Sequence, residues 1–388
     1  MSGLERAMEN KKNIVIVAHK FLTQPDDELV NFLNREKFEN VLHIRHSFSD
    51  AKDRCSYYTW YKKGQIHKEQ RTKDYKNVFE PFLYAKEIFF TLKWIAFSSV
   101  KWDVYIGMDG LCVLFGNILR FFGKIQKTIF WAIDFVPESR FQEGIKNKIY
   151  HRINIWGYKN SDEMWDLSPR MVEAREKFLG IKKDDYRKHK VIPYGMWTQE
   201  IRTYSFDECE KNTLVFMGHL LEKQGAQLVI MAISEIIKTI PDFRFKIIGD
   251  GKYKNELISL AKEKKVSKYC NFMGKIDDIR KLEDEVAKSA IAIAPYIKKL
   301  DTWTYYADPG KVKTYIACGV PLLFTDVSWN AREIQEKGCG YVISEDIQEI
   351  TDKVVEFLKK DINQQCREKC HEYAKSFDYE NIFNNLLL

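Results

Sequence analysis

Several features are missing from the 388-residue sequence, and their absence closes classes of explanation. No apolar run reaches the ~20 residues that a bilayer span needs. The most apolar stretch, FFTLKWIAFSSVKWDVYIGMDGLCVLFGNILRFFGKIQK (residues 89–127), is interrupted by Lys93, Lys101 and Asp103. No C-x-x-C pair occurs among the eight cysteines, and no apolar leader precedes the first strand-like run, so a cytoplasmic, reducing compartment is expected. Cys366, Cys370 and His371 sit close in sequence, but no second ligand pair completes a metal corner. No Asp-x-Asp triplet occurs anywhere in the chain.

Excess charge is also scarce. A formal net charge of +7 is modest for this length, so nucleic acid is not an expected partner. Its distribution says more, because residues 1–200 hold 34 Lys plus Arg against 26 Asp plus Glu, while the remainder holds 28 against 29. With Phe and Trp interleaved in that basic half, an anionic membrane surface at the inner face is one expected contact. The plainer reading of 89–127 is a helix, a strand and a helix of a core.

What is present is an alternation of short apolar runs with helical patterns. Strands are expected at 12–19, 40–46, 103–108, 127–134, 163–168 and 189–195, then after a polar stretch at 213–218, 243–251, 270–274, 290–296, 321–326 and 340–344. This predicts an α/β protein with two doubly wound, Rossmann-like domains, about 1–196 and 197–375, and a terminal helix over 376–388. Ligands of such sheets bind at the carboxyl ends of the strands, which points to the loops at 19–28, 109, 134, 218, 249 and 296–311.

One of those loops is chemically distinctive. DPGKVKTYIACGVPLLFTD (308–326) begins a helix with Pro-Gly-Lys and ends it before a strand with Gly-x-Pro. Backbone amides at a helix start, with a lysine beside them, suit an anion. Taken in order, VFMGHL, KIIGDG, FMG, IAIAP, PGK and ACGVP resemble the donor-binding domain of GT-B glycosyltransferases, most closely the retaining family 4. TIFWAIDFVPESRF and EMWDLSPRM resemble that group's acceptor-domain segments, and SFDYENIFNNLL its terminal helix, which returns to the first domain.

The resemblance implies two facing domains, a nucleotide-sugar donor held by Pro309, Gly310 and Lys311, no cofactor and no metal. It implies a saccharide or lipid-linked saccharide acceptor. Gly218, Gly249 and Asp250 fall on its glycine loops. His219 and Gln224 stand where relatives carry Arg and Lys, with Lys223 one place early, and Tyr306 and Thr314 stand where relatives carry paired glutamates. Thr314 is then the expected ribose contact, and Asp308 or Asp301 the expected sugar contact. PDDEL (25–29) replaces a Gly-rich first loop.

In the first half, Asp134 reads either as a group that orients the acceptor hydroxyl or supports oxocarbenium charge, or as a turn residue. Asp109 divides evenly between acceptor contact and turn. His19 and Lys20 read as phosphate or acceptor contacts, or as solvated loop. Trp303, Tyr305 and Tyr306 read as a cover for a sugar face or as packing. A sugar-nucleotide epimerase or a non-catalytic nucleotide-sugar-binding protein would share the fold.

Overall fold

The computed structural model describes residues 12–387 except 21–24, 49–50, 52, 76–77, 137–143, 187 and 301–303, so Asp301 and Trp303 lie outside the described residues. The chain divides into two compact units, Met1–Pro193 with Phe383–Leu388, and Tyr194–Ile382.

The first unit is built on eight strands, β1 (Asn13–His19), β2 (Asn40–His46), β3 (Ser56–Lys62), β4 (Gln65–Arg71), β5 (Trp102–Gly107), β6 (Ile125–Ala132), β7 (Glu163–Asp166) and β8 (His189–Val191). Their spatial order is β4-β3-β2-β1-β5-β6-β7-β8. β1 lies between β2 and β5, parallel to both, with Val15 opposite Leu42 and Tyr105. Because both its faces are covered, NIVIVAH reads as a continuous apolar run and Ile14 to Val17 are fully buried.

The hairpin β3–β4 adds two strands to those expected. β3 pairs antiparallel with β2, and β3 and β4 are joined by a two-residue turn at Lys63 and Gly64 in which both residues have positive φ (48° and 80°). Sequence reading missed it because QIHKEQR is exposed along its whole length and shows no apolar alternation.

The second unit contains six parallel strands, β9 (Glu210–Met217), β10 (Arg244–Ile248), β11 (Cys270–Gly274), β12 (Ser289–Ala294), β13 (Leu322–Thr325) and β14 (Gly340–Ile343), in the order β11-β10-β9-β12-β13-β14. All six match expected runs. Alternate residues feed two cores: Leu214, Phe216, Ile291 and Ile293 on one face, Val215, Ala292, Ala294 and Phe324 on the other. Strand order reverses between β9 and β12, which makes the carboxyl ends of these two strands the switch point where such sheets bind ligands.

The helix Gly310–Ala317 ends abruptly because Gly319 takes a left-handed φ of 75°. Gly319 N–H then bonds back to Ile316 O (2.9 Å) and Val320 N–H to Tyr315 O (2.9 Å), which turns the chain straight into β13. Across the start of the unit, Met196 N–H donates to Phe377 O and Met196 O accepts from Tyr379 N–H, each at 3.0 Å, and Asp378 accepts from Thr198 N–H at 3.0 Å.

Candidate functional site

At the switch point the chain leaves β9 through Gly218 and β10 through Gly249. Gly249 has φ 141°, and a β-carbon there would stand 1.9 Å from Gly218 O, so only glycine lets the two loops touch. Gly218 N–H bonds to Ile248 O (2.9 Å) and Leu220 N–H to Asp250 O (2.9 Å), locking the loops together. Asp250 is exposed and closes its own turn by accepting from Gly251 N–H (2.8 Å) and Lys254 Nζ (3.3 Å).

Into this corner comes the helix Gly310–Ala317. Pro309 precedes it in extended conformation and supplies no side-chain cap to its first amides. Its position is set by Tyr315, a fully buried residue whose hydroxyl accepts from Met217 N–H at 2.6 Å, tying the helix to the last residue of β9. Burial pushes that hydroxyl well above the ordinary phenol range, so it stays neutral.

Lys311 thereby places its ammonium at the carboxyl ends of both central strands, 4.6 Å from the centroid of Phe216 and 4.8 Å from that of Tyr296. Nζ donates to Gln224 Oε1 and stands close over Gly218. Gln224 is therefore an orienting group for Lys311. His219 is exposed at the loop edge, and Lys223 is half-buried with its carbonyl accepting from Ile297 N–H (3.0 Å).

Asp308 is a correction. Its carboxylate is buried and used within the unit, accepting from Tyr194 N–H (2.7 Å) and Trp329 Nε1 (2.8 Å), with Lys313 Nζ at 3.7 Å. Burial raises its carboxyl above the ordinary range against these partners. Both its oxygens are engaged by these partners and the residue is 2% exposed, so it presents no free face to a sugar. The Thr314 hydroxyl, expected at ribose, is largely buried and donates within its own helix to Gly310 O (3.3 Å). Tyr306 packs edge-on to Tyr305 with centroids 5.1 Å apart.

In the first unit, the carboxyl end of β1 carries His19 and that of β5 leads to Asp109. His19 Nδ1 lies 2.6 Å from Asp109 Oδ2, and Nε2 lies 3.2 Å from Glu87 Oε2. Asp109 also caps the helix Gly110–Phe121 by accepting from Cys112 N–H (2.8 Å), so it is both a turn residue and a charged partner. Burial alone would lower the His19 value, but Asp109 and Cys112 outweigh it and raise it well above the ordinary range. Asp109 is driven down, because His19 outweighs the effect of its burial.

Glu87 was missed by sequence reading. The available signal is a carboxylate in the otherwise apolar run EIFF. His19, Asp109 and Cys112 have ligand atoms within 4.8 Å of one another, but the proton held on His19 competes with any metal. Lys20 is exposed, with Nζ 5.9 Å from the Tyr57 ring. Asp134 is exposed two residues past the end of β6. In PDDEL, Asp26 is fully buried and accepts from His43 Nε2 and Arg45 Nε, each at 2.9 Å, so this loop is a structural helix start.

The His19 assembly gives a pH prediction. A raised histidine contributes stability fully below its unfolded value of about 6.5 and loses it as pH rises through the folded value. A lowered aspartate contributes above about 3.9 and loses it in acid. Stability should therefore decline as pH rises above about 6.5, and His19→Gln should flatten that limb in chemical denaturation. An identical slope in the variant would remove His19 as its source.

The fold is that of known proteins. Anabaena HepE, solved in complex with UDP, aligns with a TM-score of 0.67 at 13% identity over 96% of this chain and 98% of that one. WaaG, a glycosyltransferase involved in lipopolysaccharide biosynthesis, aligns with a TM-score of 0.65 at 15% identity over the same shares. The chain thus has the GT-B glycosyltransferase fold. Residues 211–360, which lie within the second unit, match the family model of group 1 glycosyl transferases. In sequence, the chain is 22% identical over 247 residues to the N-acetyl-alpha-D-glucosaminyl L-malate synthase of Bacillus anthracis, covering 60% of this chain and 62% of that protein. The match spans about six-tenths of the relative's length.

Proposed function

We propose that the protein is a retaining, metal-independent glycosyltransferase. It moves a sugar from a nucleotide-sugar donor held by the second unit to a saccharide or lipid-linked saccharide acceptor held by the first, in surface polysaccharide or glycolipid synthesis on the cytoplasmic side. The observation that carries this reading is the Lys311 ammonium, fixed by Gln224, Phe216 and Tyr296 at the switch point beside the first turn of a helix. Ammonium and helix amides together neutralise a diphosphate without a carboxylate-held cation. The UDP complex of HepE and the lipopolysaccharide role of WaaG support the donor and acceptor classes.

In this reaction the bond from the anomeric carbon to the diphosphate oxygen breaks, and an acceptor oxygen bonds to the same sugar face. The acceptor proton leaves with the departing phosphate. Negative charge on the diphosphate grows as the bond breaks, so Lys311 stabilises the transition state more than the bound donor. Asp134, exposed at the end of β6, orients the acceptor hydroxyl or supports the oxocarbenium charge.

A thermal-shift panel of UDP, GDP, ADP and CMP sugars tests the reading. The correct donor at 100 times its Kd should stabilise by about 2.7 kcal/mol. With that donor, Asp134→Asn should keep the thermal shift and lower transfer by about tenfold or more. A panel without any shift would sink the donor assignment, and unchanged transfer would return Asp134 to a turn residue.

A further inference from the structure

The first unit exposes aromatic rings that neither proposed site uses. Phe79, Phe82, Phe89, Phe97, Phe121 and Phe122 are each more than half exposed. On the helix Glu80–Ala96 the exposed stripe runs Phe82, Ala85, Phe89, Lys93, Ala96, and the ammonium of Lys93 lies 5.7 Å from the Phe89 ring. On the helix Gly144–Asn160 it runs Ile145, Ile149, Arg152, Trp156, Lys159, at steps of three and four residues that keep one face, with Lys148 exposed beside it, four residues before Arg152. Apolar positions face solvent on both helices, the reverse of a surface helix that serves only its own core.

These helices belong to one layer. Trp94 and Ile95 of the first share a core with Cys112 and Leu119 of the helix Gly110–Phe121, against β1, β2 and β5. The helix Gly144–Asn160 approaches that middle helix so closely that a methyl group at Gly157 would stand 2.9 Å from Val113. Glu80 Oε2 and Lys146 Nζ, 2.7 Å apart, join the two outer helices at their first turns. Phe121 and Phe122 follow from the end of the middle helix.

Charge selects what covers this layer. The helix Gly144–Asn160 has no Asp or Glu, and the two carboxylates of Glu80–Ala96 are committed, Glu80 to Lys146 and Glu87 to His19. The outer side is therefore apolar and cationic only. A second copy would set cation against cation. No described helix is long and apolar enough to cross a membrane. Phe and Ile that reach into the acyl boundary, Trp at the interface and Lys or Arg at the phosphates are the components of an interfacial surface. We infer that the outer faces of the helices Glu80–Ala96 and Gly144–Asn160 dock this protein on an anionic lipid bilayer.

The test is sedimentation of the full chain with vesicles of phosphatidylglycerol and phosphatidylcholine, against phosphatidylcholine alone. Wild type should co-sediment with the anionic vesicles at low salt, and binding should fade as salt rises. The triple variants Phe82→Ser/Phe89→Ser/Trp156→Ser and Lys148→Glu/Arg152→Glu/Lys159→Glu should each partition at least about tenfold more weakly, because a basic residue near an anionic surface is worth about fivefold. Thermal unfolding and nucleoside-diphosphate binding should remain those of wild type, so that failure here is distinguishable from failure of the transferase reading. Wild type left in the supernatant, or variants that sediment like wild type, would overturn the inference. So would a wild-type dimer that dissociates in the same variants.

Discussion

Lys311→Ala is expected to weaken nucleoside-diphosphate binding by about tenfold or more while the fold stays intact. Charge-assisted contacts of this kind are worth ~1.5–3 kcal/mol, and about 1.4 kcal/mol corresponds to one decade of affinity. The side chain is half-buried at the rim of the site, and its amine is held by Gln224 Oε1 and two ring faces, so little rotamer freedom remains to be lost when an anion arrives. Transfer should slow by more than binding weakens, because charge on the leaving diphosphate is greatest in the transition state. Gln224→Ala should reproduce part of the effect by releasing the amine. Calorimetry on wild type and both variants decides it, and wild-type affinity in Lys311→Ala would remove the anion from this corner.

The second large effect concerns stability. Sequence spacing alone makes Lys313 a harmless control, two residues on and facing elsewhere. It does face elsewhere, but into the unit: its side chain is 3% exposed, 3.7 Å from Asp308 and 4.6 Å from the Phe377 ring centroid. Removing one member of a buried ion pair leaves an uncompensated charge and costs about 3–5 kcal/mol. Lys313→Ala and Asp308→Ala should each lower the unfolding free energy by about that amount, with Asp308→Ala also stranding the Tyr194 amide and the Trp329 indole. The double variant Lys313→Met/Asp308→Asn should recover part of the loss, since two neutral groups carry no stranded charge. Denaturant titration measures all three. Unchanged stability in Asp308→Ala together with weaker donor binding would restore Asp308 to the sugar.

Most of the second unit was legible beforehand, for a local reason. A parallel strand covered on both faces must be an apolar run, as in SAIAIA and LLFT, and the loops at its carboxyl end must turn tightly, which writes Gly and Pro into the sequence at 218, 249, 295, 309 and 310. The helix stop at Gly319 is written the same way. In the first unit the hairpin β3–β4 stayed hidden because its outer strand covers nothing, and an exposed strand leaves no period in the sequence.

The sequence by itself thus determined two doubly wound domains and the tight loop at Pro309, Gly310 and Lys311 that the proposed anion corner uses. Tertiary structure decided which charges serve the corner and which serve the fold. Lys311 and Lys313 share residue type, helix and neighbourhood, yet about 200° of helical rotation sends one to the ends of β9 and β12 and the other onto Asp308. Glu87 meets His19 across 68 residues of chain, and Gln224 meets Lys311 across 87. Contacts at such separations exist only after the sheets have brought their strand ends together, so no local pattern of residues announces them.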